Sequence, residues 1–283
     1  MQRFFILSFL FIALSGFSQN KPSNYSIYVS DAGNYNNPPW QILKYNSNGE
    51  SGTVFIKDSL AWPQDILFLN SSNEVLISNL NSGKINRHDS KTGAYLGVFA
   101  EGIGGPTRTK IGPDGFLYVL QWTGNGKVLR YHLNGTMDRE FTETGVPQSI
   151  GMDWDESGNL YVSSFQKATV KKFNRSGKDM GVFIKDSLQG PTNIWFNKKK
   201  QLVVLDWKGG FIALFDSKGK FIEKITTGLN KIEGIVQLPN GNLLIGNGGT
   251  GSVKEITLEG IIVKDIVLPN AVGLKTPNAV VIH

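Results

Sequence analysis

The chain has 283 residues, no cysteine and a formal net charge of +6. Without cysteine there is no disulfide, no thiolate metal site and no lipidated cysteine anchor. The fold must rest on packing and hydrogen bonds, and a chain of this length buries roughly 75% of its surface.

Arg3 is followed by a nearly unbroken apolar run from Phe4 to Leu14, with the small residues Gly16 and Ser18 just beyond it. This pattern predicts a secretory signal peptide over 1–18, cleaved near Ser18–Gln19. The run is shorter than the about 20 residues that a membrane helix needs. The expected product is a single domain over 19–283, periplasmic or secreted, with no membrane anchor and monomeric. Its lysines are scattered apart from Lys171-Lys172 and Lys198-Lys199-Lys200. These read as a solvated turn and strand face; an acidic partner such as an anionic polysaccharide or membrane surface is the alternative. No basic-aromatic motif for nucleic acid is present.

The chain then repeats. VFIKDSL occurs at Val54–Leu60 and again at Val182–Leu188, three units of about 43 residues apart. A polar residue followed by glycine recurs at Gly49, Gly93, Gly135, Gly177, Gly219 and Gly260. Each glycine lies between two strand-like runs, where a tight hairpin needs the positive φ that glycine adopts without steric cost. No sustained helical period follows the leader. One unit reads strand A (Thr107–Ile111), a PDG turn, strand B (Phe116–Gln121), strand C (Lys127–His132), a turn at Gly135 and strand D (Met137–Thr142).

Four short antiparallel strands per unit is the arithmetic of a propeller blade. The first unit has strands B to D (Ser26–Asp31, Gln41–Tyr45, Thr53–Ile56) but no strand A. The last segment, Pro277–Ile282, is a strand A without successors. The sequence therefore predicts an all-β, six-bladed β-propeller closed by strand 277–282 pairing with strands in 26–56. A β-sandwich would not require six equal units with one of them split.

The unit P-x-x-I…DG-x-LYV…V-x-x-F/Y…G, repeated from Tyr25 to His283, resembles NHL-repeat propellers. It is also similar to gluconolactonase/regucalcin-like and streptogramin-lyase-like six-bladed propellers. That resemblance is specific for fold; the architecture hosts lactonases, lyases and binding scaffolds alike.

In such a ring, the start of each A strand and the end of each B strand surround one funnel. The A-strand phrases place Asn278, Gln64, Thr107, Gln148, Thr192 and Glu233 at one position, then Ala279, Asp65, Arg108, Ser149, Asn193 and Gly234 at the next. Converging oxygens suit a hard cation such as Ca²⁺, and the gluconolactonase-like resemblance implies a Glu, Asn and Asp set for a divalent metal. Glu233, Asn278 and Asn193 are the candidates here, with no clear counterpart to the catalytic Asp. A water-filled channel lined by neutral polar groups is the alternative.

The second candidate is aromatic. Trp62 precedes an A strand; Trp122, Phe165 and Trp207 follow B strands in consecutive blades; Trp40 ends the long loop DAGNYNNPPWQ, which also carries Tyr35. All belong on one face, where indoles could hold a sugar ring or an apolar ligand, with Gln64 and Gln148 beneath them. Packing between blades is the alternative. Asp31 and Asp206, at B-strand ends, are candidates for orienting hydroxyls or acting as a base, or else cap their loops.

Three motifs fail in context. GNGGTG at Gly246–Gly251 precedes a strand, whereas a dinucleotide fingerprint opens a helix. DWDESGN at Asp153 lacks the distal Glu of a calcium loop. Streptogramin-type lyases are implied to use channel histidines, but His88 and His132 end C strands and His283 is terminal. Three functions stay open: a mouth for a small molecule or glycan, a divalent-metal-assisted lactonase-like hydrolase, and a protein-interaction platform.

Overall fold

The computed structural model describes residues 25–283; the expected signal peptide lies outside them. Blade 1 contains β1 (Ser26–Asp31), β2 (Gln41–Asn46) and β3 (Thr53–Ile56). Blade 2 contains β4 (Pro63–Leu69), β5 (Glu74–Asn79), β6 (Lys84–Asp89) and β7 (Tyr95–Ala100). Blade 3 contains β8 (Pro106–Ile111), β9 (Leu117–Gln121), β10 (Leu129–Tyr131) and β11 (Met137–Glu140). Blade 4 contains β12 (Ser149–Trp154), β13 (Leu160–Ser164), β14 (Thr169–Phe173) and β15 (Asp179–Ile184). Blade 5 contains β16 (Pro191–Phe196), β17 (Leu202–Asp206), β18 (Phe211–Phe215) and β19 (Phe221–Thr226). Blade 6 contains β20 (Ile232–Gln237), β21 (Leu243–Asn247), β22 (Ser252–Ile256) and β23 (Ile262–Val267), and β24 (Pro277–Ile282) follows.

Each blade is one four-stranded antiparallel sheet, and blade 1 is completed in the order β24-β1-β2-β3. The closing register pairs Ile27 with Ile282 and Val29 with Val280. Ser26 and His283 exchange backbone hydrogen bonds at 2.8 and 3.0 Å. The Ala279 amide donates to Ser30 Oγ at 2.9 Å. The expected six-bladed propeller, closed at the expected strand, is what the chain forms.

Strand alternation explains the ring. Successive side chains point to opposite faces, and here both faces are buried. In β9, Leu117 and Val119 join a cluster with blade 2, while Tyr118 and Leu120 join one with blade 4. In β17, Leu202 and Val204 face blade 4, and Val203 and Leu205 face blade 6. In β1, Ile27 and Val29 face blade 6 and Tyr28 faces blade 2. Six apolar clusters fill six interfaces between adjacent blades, so the inner strands of each sheet bury both of their sides.

The hairpin glycines have the expected positive φ, from 75° at Gly93 to 96° at Gly135. A second constraint emerges from the packing. A Cβ at Gly49 would lie 1.8 Å from the Ile266 carbonyl oxygen, and one at Gly177 would lie 1.9 Å from that of Phe141. Each turn is therefore pressed against the outer part of the preceding blade.

Of the basic runs, Lys198, Lys199 and Lys200 are exposed, whereas Lys171 and Lys172 are half-buried and paired with acids. Lys171 pairs with Asp179 at 2.7 Å and Lys172 with Asp155 at 3.7 Å. Lys200 reaches Glu156 at 2.7 Å.

Candidate functional site

One backbone hydrogen bond, repeated in every blade, builds the mouth. The residue just past strand B donates its N–H to the carbonyl of a residue at the entry to strand A. The pairs are Ala32 to Thr276, Leu80 to Trp62, Trp122 to Gly105, Phe165 to Gln148, Trp207 to Gly190 and Gly248 to Lys231, at 2.8–3.2 Å. Six side-chain positions are thereby set at one height. Blades 3 to 5 put Trp122, Phe165 and Trp207 there; blades 6 and 1 put Gly248 and Ala32, which leave room.

The result is a cavity of about 300 Å³. Tyr35, Trp62, Trp122, Phe165 and Trp207 wall it together with Leu80 and Ile150, and Gln64, Glu233, Asn278 and Lys231 supply its polar lining. The rings touch in sequence: Trp122–Phe165 at 5.7 Å, Phe165–Trp207 at 5.8 Å and Tyr35–Trp62 at 5.3 Å between centroids, tilted by 46–73°. Trp62 has φ 53°, a left-handed conformation that costs a bulky residue of order 1–3 kcal/mol. Two lining residues keep a buried polar atom without a partner, Trp62 Nε1 and Asn278 Oδ1.

Below the mouth the axis is filled by Arg108, 7% exposed. Its Nη2 donates to Glu233 Oε1 at 3.0 Å and to the Asn278 carbonyl at 2.7 Å. Its Nε donates to Asn193 Oδ1 at 3.1 Å, and its Nη1 donates to the Gln64 carbonyl. The innermost strands close tightly around it: a Cβ on Gly234 would fall 2.6 Å from the Val280 nitrogen. Beyond the guanidinium lies a second cavity of about 350 Å³, lined by Asp65, Met152, Trp195 and Val281 among others.

The three residues expected to hold a divalent metal thus converge as their positions implied, but on a guanidinium. Arg108 engages Glu233, the Asn193 side-chain oxygen and the Asn278 carbonyl at once, so these groups do not fit a metal ion. Asp65 turns to the far side, where Oδ2 accepts from the Thr109 amide at 2.7 Å and its hydroxyl at 2.9 Å. No cluster of three or more His, Asp or Glu side chains suited to a metal occurs among the described residues. Sequence reading gave Arg108 no role. Its signal was a cation standing alone at a ring position otherwise occupied by neutral or acidic residues.

Other candidates sit away from the cavity. Gln148 has φ 49° and contributes only its carbonyl to Phe165; an irregular register between Ser149 and Met152 brings Ile150 into the lining instead. Trp40 stands behind the wall, its Nε1 donating to the Tyr35 carbonyl at 2.7 Å, and so it positions Tyr35. Asp31 and Asp206 cap loops. Asp31 accepts from the amides of Gly33 and Thr276 at 2.9 and 2.8 Å. Asp206 accepts from those of Gln189 and Gly209 at 2.7 and 2.8 Å. Thr107 and Thr192 spend their hydroxyls on the Ser149 and Leu205 carbonyls. His88 is buried against Tyr95, and His283 stacks on Phe68 at 3.9 Å.

Burial pushes the Glu233 carboxyl up to about 7 despite Arg108, and it raises Asp65 as well. Burial and the nearby Glu233 also raise the Tyr35 phenol. From its ordinary value of 4.5 up to about 7, folded Glu233 retains a proton that the unfolded chain has released. Raising the pH through that window therefore favours unfolding, by an amount on the order of 3 kcal/mol at 1.36 kcal/mol per pH unit. Burial lowers the pKa of His88 and His283, which contributes the opposite slope below their ordinary value. The difference between parent and Glu233→Gln isolates the carboxyl. Urea unfolding at pH 5 and pH 8 should show the parent losing more stability with rising pH than the variant does.

No family model matches the chain, and no curated protein does. Solved structures do. The propeller superposes on a structure of a nidogen/laminin complex with TM-score 0.74 at 15% identity, covering 92% of this chain and 98% of that one. A protein of unknown function from Bacteroides caccae gives 0.70 at 18%, covering 91% and 98%. A catalytically inactive variant of virginiamycin B lyase from Staphylococcus aureus, solved with quinupristin, gives 0.57 at 16%, covering 76% and 71%. These likenesses establish the fold. The structural neighbours include the streptogramin-lyase-like propellers that the repeat unit resembled.

Proposed function

We propose that this protein is an exported, monomeric propeller that binds a small molecule or carbohydrate in the mouth above Arg108. The observation that carries the reading is the cavity itself. Five aromatic side chains, one from each of blades 1 to 5, wall it, with Gln64, Glu233, Asn278 and Lys231 as its polar lining. The left-handed φ of Trp62 recurs at the equivalent Gly105, Gln148 and Lys231 and so belongs to the blade repeat; the reading rests on the aromatic wall. A volume of about 300 Å³ stands at the small end of ligand pockets and suits one or two rings. The lactonase-like alternative finds no support in residues that hold Arg108.

Quenching of indole fluorescence, titrated with a panel of oligosaccharides and aromatic small molecules, tests this reading. Trp122→Ala and Trp207→Ala should each weaken binding at least about tenfold, as loss of a central aromatic anchor does. If both variants bind every compound as the parent does, the mouth is not the site.

A protein partner is the second reading, favoured by the rim. Tyr95, Leu96, Met180, Val182, Ile262 and Val263 on the outermost strands are 46–56% exposed. The nidogen/laminin neighbour is a propeller solved in a protein complex.

A further inference from the structure

We propose that the ligand of the mouth is an aryl or heteroaryl anion: a flat ring body bearing a carboxylate or comparable acid group. This rests on the binding reading above and adds the charge and shape of what is bound.

The charge follows from which groups are already spent. Among the described residues lining the cavity, Glu233 is the sole acid, and Arg108 donates to it at 3.0 Å. Asp206, under the same rim, accepts from the amides of Gln189, Gly190 and Gly209 and is buried. The cations are not spent in this way. Lys231 lines the cavity, with Nζ 5.8 Å from the Trp207 ring centroid. Lys208 stands over the adjacent Phe165 ring at 4.7 Å. Neither makes an ion pair with an acidic side chain among the described residues. A cationic guest would meet Lys231 as a like charge beside the Trp207 ring; an anionic guest meets it as a partner, with the exposed Lys208 near the Phe165 ring adding to the same field.

The shape follows from the wall. Rings inclined at 46–73° to one another enclose a guest from several sides, where a saccharide platform would present one open face. Lys231 has φ 51°, a backbone conformation uncommon for lysine, and its carbonyl receives the Gly248 amide. Its side chain is therefore launched from a fixed point on the rim.

Three compounds with one ring body separate the possibilities: indole-3-acetate, indole-3-acetamide and tryptamine, titrated calorimetrically into the full chain at low and high salt. Indole-3-acetate should bind about tenfold or more tightly than tryptamine, with the acetamide between them and the gap narrowing in salt. Lys231→Gln and Lys208→Gln should each shrink the gap, and Lys231→Arg should restore it. If tryptamine or the acetamide binds as tightly as the acetate, the anion preference is wrong while the mouth reading stands. If none of the three binds but an oligosaccharide does, the ring-body inference fails and the mouth reading again survives. If the gap persists in both glutamine variants, these lysines do not set it, and the inference falls.

Discussion

Removal of residues 276–283 is expected to abolish the soluble, cooperatively folding monomer. Without β24, blade 1 would keep three strands and β1 would become an open inner edge with unpaired amides and carbonyls. Ile27 and Val29, both at 0% exposure, would lose their cross-strand partners Ile282 and Val280. Asn278, Ala279 and Val280 leave a fully packed region, and a buried aliphatic side chain alone is worth about 1.5–3 kcal/mol. The summed loss approaches the about 5–15 kcal/mol that holds a domain folded, and the exposed edge invites aggregation. A milder probe is Val280→Asp, which places a charge in the same apolar cluster and should cost several kcal/mol. Size-exclusion chromatography and thermal melting decide the matter. A truncated chain that stays monomeric with the parental melting temperature would show that closure at β24 does not hold the ring.

The second large effect concerns Arg108. Arg108→Ala is expected to destabilise the protein by about 3–5 kcal/mol, the usual cost of leaving one member of a buried ion pair alone. Glu233 would remain in the channel without its guanidinium, and the Gln64 and Asn278 carbonyls would lose a donor. The melting temperature should fall by about 10 °C or more for a domain of this size. Replacing both partners, as Arg108→Met with Glu233→Leu, should recover most of the loss, because the desolvation cost disappears with both charges. Additive losses in the double variant would mean that the pair is not coupled.

Much of this architecture was legible in the residues. The hairpin glycines mark the period, and Phe116–Gln121 reads as the second strand of a blade. The segment at Pro277 could only complete a unit that lacked its inner strand. The aromatic mouth was legible too, for Trp62, Trp122, Phe165 and Trp207, because each follows or precedes a strand at an equivalent point. It was not legible for Trp40, whose loop folds back so that the indole supports Tyr35 from behind. Nor was it for Gln148, which does not line the cavity although Trp62 and Lys231 share its left-handed backbone; Ile150 lines it instead. Asp31 and Asp206 were recognisable as strand-end acids, but several of the amides they receive come from segments distant in sequence.

Taken alone, the sequence determined the number of blades, the strand order within each and the place where the ring is joined. These follow from alternation, turn chemistry and a fixed repeat, all of which act over a few bonds along one chain segment. The tertiary structure decided what meets at the axis and between the blades. Arg108 of blade 3 lies against Glu233 of blade 6, Asn193 of blade 5 and the carbonyls of Gln64 and Asn278 from blades 2 and 1. Gly49 and Gly177 press on the carbonyls of neighbouring blades. Such contacts depend on the rotation and height of one sheet relative to another, and the packing of six rigid sheets in a closed ring sets those quantities, not any local run of residues.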